Sequence, residues 1–510
     1  MLDHFPRKII IVGGGTAGWL AAAYLDRTYN TPARRAADIL VVESPEIGRI
    51  GVAESTLDGL RNTMAFLGIS ETDLGSRTDA TLTHGIHFED WSRIGATYFH
   101  PLESFANLGF PPAGRWLARR LHEESGRFVD ETVIQARVAQ AGLSPKRMMD
   151  PDYQGAFPYA YQVDAESFAD LLAEVAQSRG CRRLEAHVVG VEMDGPDGIA
   201  ALTTEAGERI EGDLFIDCSG FASLLISKAL GTPFVSYADT LLCDRAIAIR
   251  APYDGEVSIP PMSRTRALDS GWMWRIGLRH GEGVGYVYSS AHLDSAAAEE
   301  TLRREAGLSP DLPAHHQELR VGRSERSWVG NCVALGLASG FVEPLESTGI
   351  HMIEVGLQLL VRYFPLSGIN PAARDTFNRE LQWRYEELRD FIVAHYCLSQ
   401  RDDTPFWREV RKQERRPPSL QQRLALWSDR PPGVGDIVER EALFVATNWQ
   451  QIIYGMEWTP RAAMENCAFW LPGDDRHIPA LAEAFGRARQ DLPSHDLWLS
   501  GIPEPDAPLA

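Results

Sequence analysis

Lys8-Ile9-Ile10-Ile11-Val12-Gly13-Gly14-Gly15-Thr16-Ala17-Gly18 is the stretch that decides the fold. Its apolar half predicts a buried parallel strand, and residues 18–29 predict the helix that follows. A second apolar run, Asp38–Glu43, predicts the next strand, so the three elements form a β-α-β unit. The glycines fit G-x-G-x-x-G directly after a strand and at the opening of a helix, which is typical of a dinucleotide-binding turn.

Each glycine of this motif has a physical reason. Gly13 permits the tight turn, Gly15 lets the backbone approach a pyrophosphate, and Gly18 lets the helix pack close to the strand. The N-terminus of the helix faces the anion. Glu43 ends the second strand, where its carboxylate can accept hydrogen bonds from a ribose diol and would repel a 2′-phosphate. The motif therefore predicts FAD or NAD, and disfavours NADP.

A later strand bears on the choice between FAD and NAD. The apolar segment 213–218 runs into Ser219-Gly220, as in the strand with which large flavoproteins close the adenosine side of their site. An ordinary core strand with a glycine turn explains this segment about equally well. Combined with a length of 510 residues, the pattern favours FAD.

Composition excludes several classes of protein. A content of 44% hydrophobic and 24% charged residues is ordinary for a soluble globular protein, and the length predicts two or more lobes. The net charge of −20 argues against a nucleic-acid partner or binding to an acidic membrane. Six scattered cysteines without C-x-x-C predict buried reduced thiols. With neither a signal-peptide pattern nor an apolar run of about 18 residues, we expect a cytoplasmic protein.

The pattern along the chain predicts an α/β protein in two parts. Residues 1–365 are expected to form a Rossmann-like FAD-binding domain, interrupted by mixed-sheet insertions at about 95–155 and 235–320. Residues 237–288 are rich in strand formers and predict an antiparallel sheet in the second insertion. Residues 366–510 predict a helical C-terminal substrate lobe.

Two tryptophans, Trp272 and Trp274, are one residue apart in a predicted strand. Since residues i and i+2 of a strand share a face, both indoles should project from the same side. Such a pair can line a channel or wall off a cofactor. For an isolated W-x-W, core packing is the commoner explanation.

The segment 341–349 reads Phe-Val-Glu-Pro-Leu-Glu-Ser-Thr-Gly before another apolar helix, which is predicted over residues 350–364. Ser347 or Thr348 could cap that helix. The free N–H groups of Thr348 and Gly349 would form a small anion site for a halide or a flavin carbonyl. Glu346 beside them could orient a reactive species or receive a proton. A plain capped helix is the alternative.

Taken together, these motifs resemble the flavin-dependent tryptophan halogenase family. The resemblance covers most of the chain and extends to residues 159–165, 213–221 and 395–396. It implies reduced FAD supplied by a separate flavin reductase, and a small aromatic substrate of the indole or tryptophan type. It also implies that chloride or bromide at Thr348–Gly349 is converted to hypohalous acid. This acid would pass through a tunnel to a lysine beside Glu346.

The motifs and the resemblance together define the candidate site. The cofactor-binding candidates are Gly13, Gly15, Gly18, Glu43, Trp272, Trp274, Thr348 and Gly349. The catalytic candidates are Glu346, Ser347 and the residue at the lysine position. The substrate candidates are His100, Leu102, Trp449 and Tyr454, although C-terminal core packing explains the last two about as well.

The chain departs from the family at the lysine. Flanking residues place Thr83 at that position, and a threonine hydroxyl is a poor nucleophile near neutral pH. His84 and His87 are nearby, but His84 is predicted to point to the opposite face of the strand and His87 to lie further along it. Leu102 stands where tryptophan-specific members have an aromatic residue, which argues against free tryptophan.

Three hypotheses follow from the sequence. The first is a halogenase-type enzyme that oxidises an aromatic compound with reduced FAD and dioxygen. The second is a monooxygenase on the same scaffold, and the third is a catalytically silent FAD-binding partner protein. The sequence leaves the oligomeric state open, with a homodimer as one option.

Overall fold

A six-stranded sheet carries the glycine motif at its centre. The computed structural model describes residues 5–48, 51–104, 112–437, 442–470 and 477–504. The strands of this sheet lie in the order Arg182–Glu185, Asp38–Glu43, Lys8–Val12, Leu214–Asp217, Cys332–Ala334 and Trp328–Val329. Neighbours are parallel except for the last pair, which is antiparallel. The predicted bounds of the strands Lys8–Val12 and Asp38–Glu43 are confirmed, and the helix after the motif spans Thr16–Tyr29.

Both faces of this sheet are buried. Ile9 and Ile11 of the central strand belong to the main hydrophobic core, while Ile10 and Val12 belong to a second core on the opposite face. A strand covered on both faces needs apolar side chains at consecutive positions. This is why the strand reads as an uninterrupted apolar run.

A seven-stranded sheet forms the second layer. Its strands lie in the order Ala314–Glu318, Arg245–Pro252, Gly281–Tyr288, Gly271–Gly277, Ser263–Leu268, Gly85–Glu89 and Thr97–Pro101. Neighbours are antiparallel except for Ser263–Leu268 with Gly85–Glu89, which are parallel. The antiparallel sheet predicted within residues 237–288 is confirmed. Two earlier strands extend it and bring residues 85–101 beside the tryptophan pair.

The tryptophan pair lies on the Gly271–Gly277 strand. The ring centroids of Trp272 and Trp274 are 6.0 Å apart, which agrees with projection from one side of the strand. Gly285 pairs with Trp274 on the adjacent strand, and a Cβ there would collide with the indole. Because Gly285 has no side chain, the indole of Trp274 can pack against this strand.

The segment 95–155 differs from the sequence prediction. Its described part contributes the strand Thr97–Pro101 and the helices Pro112–Arg120 and Gln135–Gln140, so a mixed-sheet insertion is not what forms there. The Trp116 ring lies 5.1 Å from that of Tyr454 in the C-terminal region. The helical lobe is therefore assembled from two separate parts of the chain.

The C-terminal region is helical, as predicted. Its helices are Pro371–Cys397, Pro405–Val410, Pro418–Trp427, Ala446–Gly455, Arg461–Trp470, His477–Asp491 and His495–Leu499. The first of them begins with Pro371 and is capped by Asn370, whose side chain accepts the Ala372 N–H. Its buried residues belong to the same core as the first sheet, so the two parts share one interior.

The other elements complete the layers around these two sheets. The other α-helices are Gly59–Leu67, Glu71–Arg77, Ala165–Ser178, Ser295–Ala306 and Gly349–Arg362. Smaller strand groups are Ala53–Ser55 with Ala160–Asp164 and Thr81–Thr83; Val188–Asp194 with Gly198–Thr204 and Arg209–Glu211; Phe234–Ser236 with Gly322–Ser324 and Gly340–Phe341; and Asn30–Thr31 with Arg34–Arg35. All six cysteines are buried and free, as expected. Within the described ranges no helix has the length and apolar character needed to cross a membrane.

The glycine motif generates a stability prediction. A Cβ on Gly18 would collide with the backbone oxygen of Gly13, whereas a Cβ on Gly15 would meet nothing within 4 Å. We expect Gly18→Ala to destabilise the ligand-free protein by about 1–3 kcal/mol, since two backbone segments must move apart. Thermal unfolding of the ligand-free variants measures this. Gly15→Ala is the matched control and should unfold with the wild type; equal midpoints for both variants would contradict the packing argument.

Candidate functional site

The glycine turn is shaped as an anion cradle. Gly13 has φ of +116°, and its N–H donates to Val42 O at 2.8 Å. Gly15 is the N-cap residue of the Thr16–Tyr29 helix and has extended backbone with open space beside it. The helix N-terminus therefore presents backbone amides to that space, an arrangement that suits a phosphate group.

Glu43 lies directly against this turn. Its carboxylate occupies the space where a side chain on Gly14 would stand, and it accepts a hydrogen bond from Trp19 Nε1 at 3.2 Å. It also forms an ion pair with Arg183 from the strand Arg182–Glu185. Sequence reasoning missed Arg183, because it lies far along the chain and only sheet pairing brings it to Glu43.

A second centre surrounds a cavity of about 350 Å³. Its lining includes Thr83, His100, Leu102, Glu346 and Ser347, which the sequence nominated from three distant segments. The size is within the range of small-molecule sites. A larger cavity of about 600 Å³ is lined by residues from 234–244, 289–292, 319–321 and 409–415 and contains none of the predicted site residues. The chemistry-bearing groups therefore assign the candidate site to the smaller cavity.

Thr83 stands in the cavity wall but its hydroxyl is already engaged. Oγ1 donates to Gly85 O at 2.9 Å and accepts the Gly85 N–H at 3.2 Å. Both bonds close a local turn between two strands. The side chain therefore brings no basic nitrogen to the cavity.

The two histidines near Thr83 lie outside the cavity lining. His84 is buried between Leu143 O, 2.9 Å from Nε2, and the side chain of Gln135, 3.0 Å from Nδ1. Burial lowers the pKa of His84 to about 3. His87 pairs with Glu89, whose Oε1 lies 3.2 Å from Nδ1. Neither imidazole supplies a replacement for an amine at position 83.

Glu346 is buried between two imidazoles. His100 Nδ1 lies 2.7 Å from Oε2, and His395 Nε2 lies 2.8 Å from Oε1. Burial alone raises the pKa of Glu346, but the attraction and hydrogen bonds of the two histidines outweigh it and hold that pKa at about 2. Glu346 is therefore a carboxylate that orients its neighbours, and the expectation that it receives a proton does not agree with this arrangement.

The residues after Glu346 form the start of a helix. Ser347 has φ of 59°, and its N–H donates to Pro344 O at 3.2 Å. The helix Gly349–Arg362 begins after Thr348, which makes no side-chain cap bond, so the predicted hydroxyl cap is wrong. Backbone held in the left-handed region by a non-glycine residue is concentrated at functional sites.

The amides of Thr348 and Gly349 remain the candidates for an anion nook. Within the described ranges neither N–H pairs with a protein acceptor, and a Cβ on Gly349 would meet nothing within 4 Å. Open space beside the first turn of a helix suits a small anion. The predicted nook thus has the required space and donors.

Glu343 forms a second buried carboxyl cluster that sequence reasoning missed. Its Oε2 accepts hydrogen bonds from Trp272 Nε1 at 2.9 Å and Tyr396 OH at 2.5 Å. Burial raises the pKa of Glu343 to about 7, and these two neutral donors offset only part of that rise. Trp272 is therefore anchored to the segment that also carries Glu346.

The structure does not bring Trp449 and Tyr454 into the cavity lining. Trp449 is fully buried, with its ring 4.8 Å from Phe391, and Tyr454 packs 4.9 Å from Phe128. Core packing, the alternative given for both, describes their surroundings. Asn448, the residue before Trp449 in the same predicted substrate segment, lines the cavity instead.

Comparisons with known proteins agree with this geometry. The family model described as tryptophan halogenase matches residues 8–469. Tryptophan 6-halogenase SttH of Streptomyces toxytricini is 37% identical over 451 residues, covering 84% of this chain and 85% of that protein. The crystal structure of a tryptophan halogenase from Shewanella frigidimarina NCIMB 400 superposes with a TM-score of 0.89 at 32% identity, covering 98% of both chains. BrvH, a flavin-dependent halogenase from Brevundimonas sp. BAL3, has a TM-score of 0.87 at 34% identity, covering 99% of this chain and 100% of that one.

The Glu343 cluster generates a pH prediction. The pKa of Glu343 is raised from 4.5 to about 7, so the folded protein favours the protonated carboxyl group. This group therefore contributes its full stabilisation below pH 4.5, and the contribution is lost as the pH rises through 7. The free energy of unfolding of the wild type minus that of Glu343→Gln should therefore fall by about 3 kcal/mol across this window. Urea unfolding at several pH values measures it. The exposed Glu205→Gln control should give a flat difference, and a flat line for Glu343→Gln would contradict the prediction.

Proposed function

Because this chain belongs to the tryptophan halogenase family and is an enzyme of the FAD-dependent halogenase type, we propose that it halogenates an indole-like aromatic compound with reduced FAD and dioxygen. The observation that carries this proposal is the cavity in which the Glu346–Ser347 turn faces Thr83 and His100. A separate flavin reductase would deliver the reduced FAD. Chloride or bromide is the halide.

The residues of the glycine turn fit FAD. Gly15 leaves room for a pyrophosphate against the helix N-terminus, and Glu43 stands at the end of the adjacent strand for a ribose. Trp272 and Trp274 would form a wall between the flavin and the cavity. When bound, reduced FAD would supply the two electrons that activate dioxygen, which can then oxidise a halide to hypohalous acid. The amides of Thr348 and Gly349 would hold the halide.

The lining of the cavity supports an aromatic substrate without a free carboxylate. Ile86, Leu102 and Phe444 provide apolar surface, while Asp58 and Glu103 add carboxyl groups. Among the described lining residues there is neither a lysine nor an arginine to pair with the carboxylate of an amino acid. Unpaired burial of that carboxylate would be unfavourable. An indole with a neutral or cationic substituent suits this lining better than free tryptophan does.

Oxygen transfer is the second candidate function. Thr83 favours it, because a hydroxyl bound to Gly85 cannot form a haloamine or hold hypohalous acid as an amine does. The same FAD site and cavity would then place a hydroxyl group on the aromatic ring. A catalytically silent FAD-binding protein is the remaining alternative.

One assay separates these functions. The purified protein is combined with a flavin reductase, NADH, FAD, oxygen and bromide, and a panel of indoles and tryptophan is analysed by mass spectrometry. We expect monobromination of a carboxylate-free indole. A gain of one oxygen would instead support the monooxygenase, and peroxide without product would support the silent protein. Failure to bind FAD, measured by quenching of flavin fluorescence, would contradict all three.

Position 83 supplies a further prediction. Thr83→Lys restores an amine in the cavity wall, and we expect bromination of the best indole to rise by on the order of a hundredfold, the lower end of what a positioned acid–base group contributes. Thr83→Met is the matched control, since it adds similar length without a nitrogen. The initial rate of bromoindole formation measures both variants. Equal rates for lysine and methionine would show that the amine is not what limits this protein.

A further inference from the structure

His100 lies at the meeting point of the two lobes. The strand Thr97–Pro101 places its side chain in the cavity lining, where the residue is 6% exposed. Its Nδ1 faces Glu346 at 2.7 Å, and its Nε2 faces Asn448 Nδ2 at 3.1 Å. Both ring nitrogens are therefore held by residues from other parts of the chain.

Asn448 determines which ring nitrogen carries the proton. Its Oδ1 accepts the Val445 N–H at 3.0 Å, at the start of the helix Ala446–Gly455, so its NH₂ group must face His100. An amide N–H only donates, so Nε2 accepts and its lone pair is free of a proton. The ring proton lies on Nδ1 and is donated to Glu346. The hydrogen-bond network thus assigns a single tautomer to His100.

Glu346 itself is not available as a base. Its Oε1 accepts from His395 Nε2 at 2.8 Å, and the other nitrogen of His395 lies 2.9 Å from Phe391 O. Because a carbonyl oxygen only accepts, Nδ1 of His395 must donate to it. The contact between Nε2 and the Glu346 carboxylate needs a second proton, which Nε2 carries. Both oxygens of Glu346 are therefore occupied by imidazole N–H groups.

The other polar groups of the cavity are weaker candidates. Asp58 is half-exposed and faces Arg61 at 3.7 Å, and Glu103 accepts the Gln135 N–H at 3.0 Å. Apart from Glu346 and Asn448, the other described lining residues with side-chain oxygens carry hydroxyl groups. Among the described lining residues, His100 is the one that carries a basic nitrogen.

We propose that His100 is the general base that removes the ring proton in aromatic substitution at this site. The inference rests on the proposed function but holds for halogen or oxygen transfer, since each replaces a ring hydrogen. After the electrophile adds, the C–H bond breaks and its electron pair restores the aromatic ring, while the proton forms an N–H bond at Nε2. Glu346 stabilises the resulting imidazolium through Nδ1–H, as a buried carboxylate does for an imidazole base. Asn448 yields its hydrogen bond as substrate enters, and water later takes the proton.

The test combines a variant with an isotope. His100→Gln should lower kcat for bromination by about 10²–10⁴-fold. Proton loss then becomes the slow step, so a ring-deuterated indole should show a primary kinetic isotope effect with the variant and none with the wild type. His87→Gln, outside the cavity lining, is the matched control and should behave as the wild type in both respects.

A second variant distinguishes chemistry from structure. His100→Ala leaves a space in which added imidazole should restore much of the lost rate, whereas a purely structural role predicts no rescue. FAD binding and thermal unfolding of each variant check that the fold is intact. A rate loss without isotope effect or rescue, or no rate loss, would overturn the role of His100 while leaving the proposed function standing. A wild type without any substitution product would overturn the proposed function and this inference together.

Discussion

The buried carboxylate of Glu346 between His100 and His395 is the interaction on which the site depends. The three residues come from the strand Thr97–Pro101, the turn before the helix Gly349–Arg362, and the end of the long helix Pro371–Cys397. A buried charge without partners would be strongly unfavourable, and removing one partner of such a pair typically destabilises a protein by about 3–5 kcal/mol. A single charged group thus connects the sheet, the turn and the helical lobe.

Two carboxyl groups of one short turn have opposite properties. Glu343 meets the neutral donors Trp272 and Tyr396, and burial raises its pKa to about 7. Glu346, also buried, meets two imidazoles that hold its pKa at about 2. The two side chains are chemically the same, so their surroundings cause the difference: Glu343 can bind a proton near neutral pH, whereas Glu346 stays ionised.

The sequence predicted the first sheet well and the first insertion poorly. Strands such as Lys8–Val12 are covered on both faces, so they read as apolar runs without ambiguity. In the segment 95–155, Trp116 lies on a helix whose apolar side packs against Tyr454 from a distant helix. This helix has nine residues and buries its apolar side against a partner that is remote in sequence, so neighbouring residues alone did not reveal it.

The sequence by itself determined the glycine turn and the absence of an amine at position 83. Both depend on local chemistry: the turn needs backbone that only glycine allows, and Thr83 carries a hydroxyl group in place of an amine. Only the tertiary structure decided that Asn448, and not the adjacent Trp449, faces the cavity. Consecutive residues of a helix point about 100° apart, so a local pattern specifies the helix but not its rotation toward a distant strand. That rotation, set by packing of the lobes, paired Asn448 with His100 and His100 with Glu346.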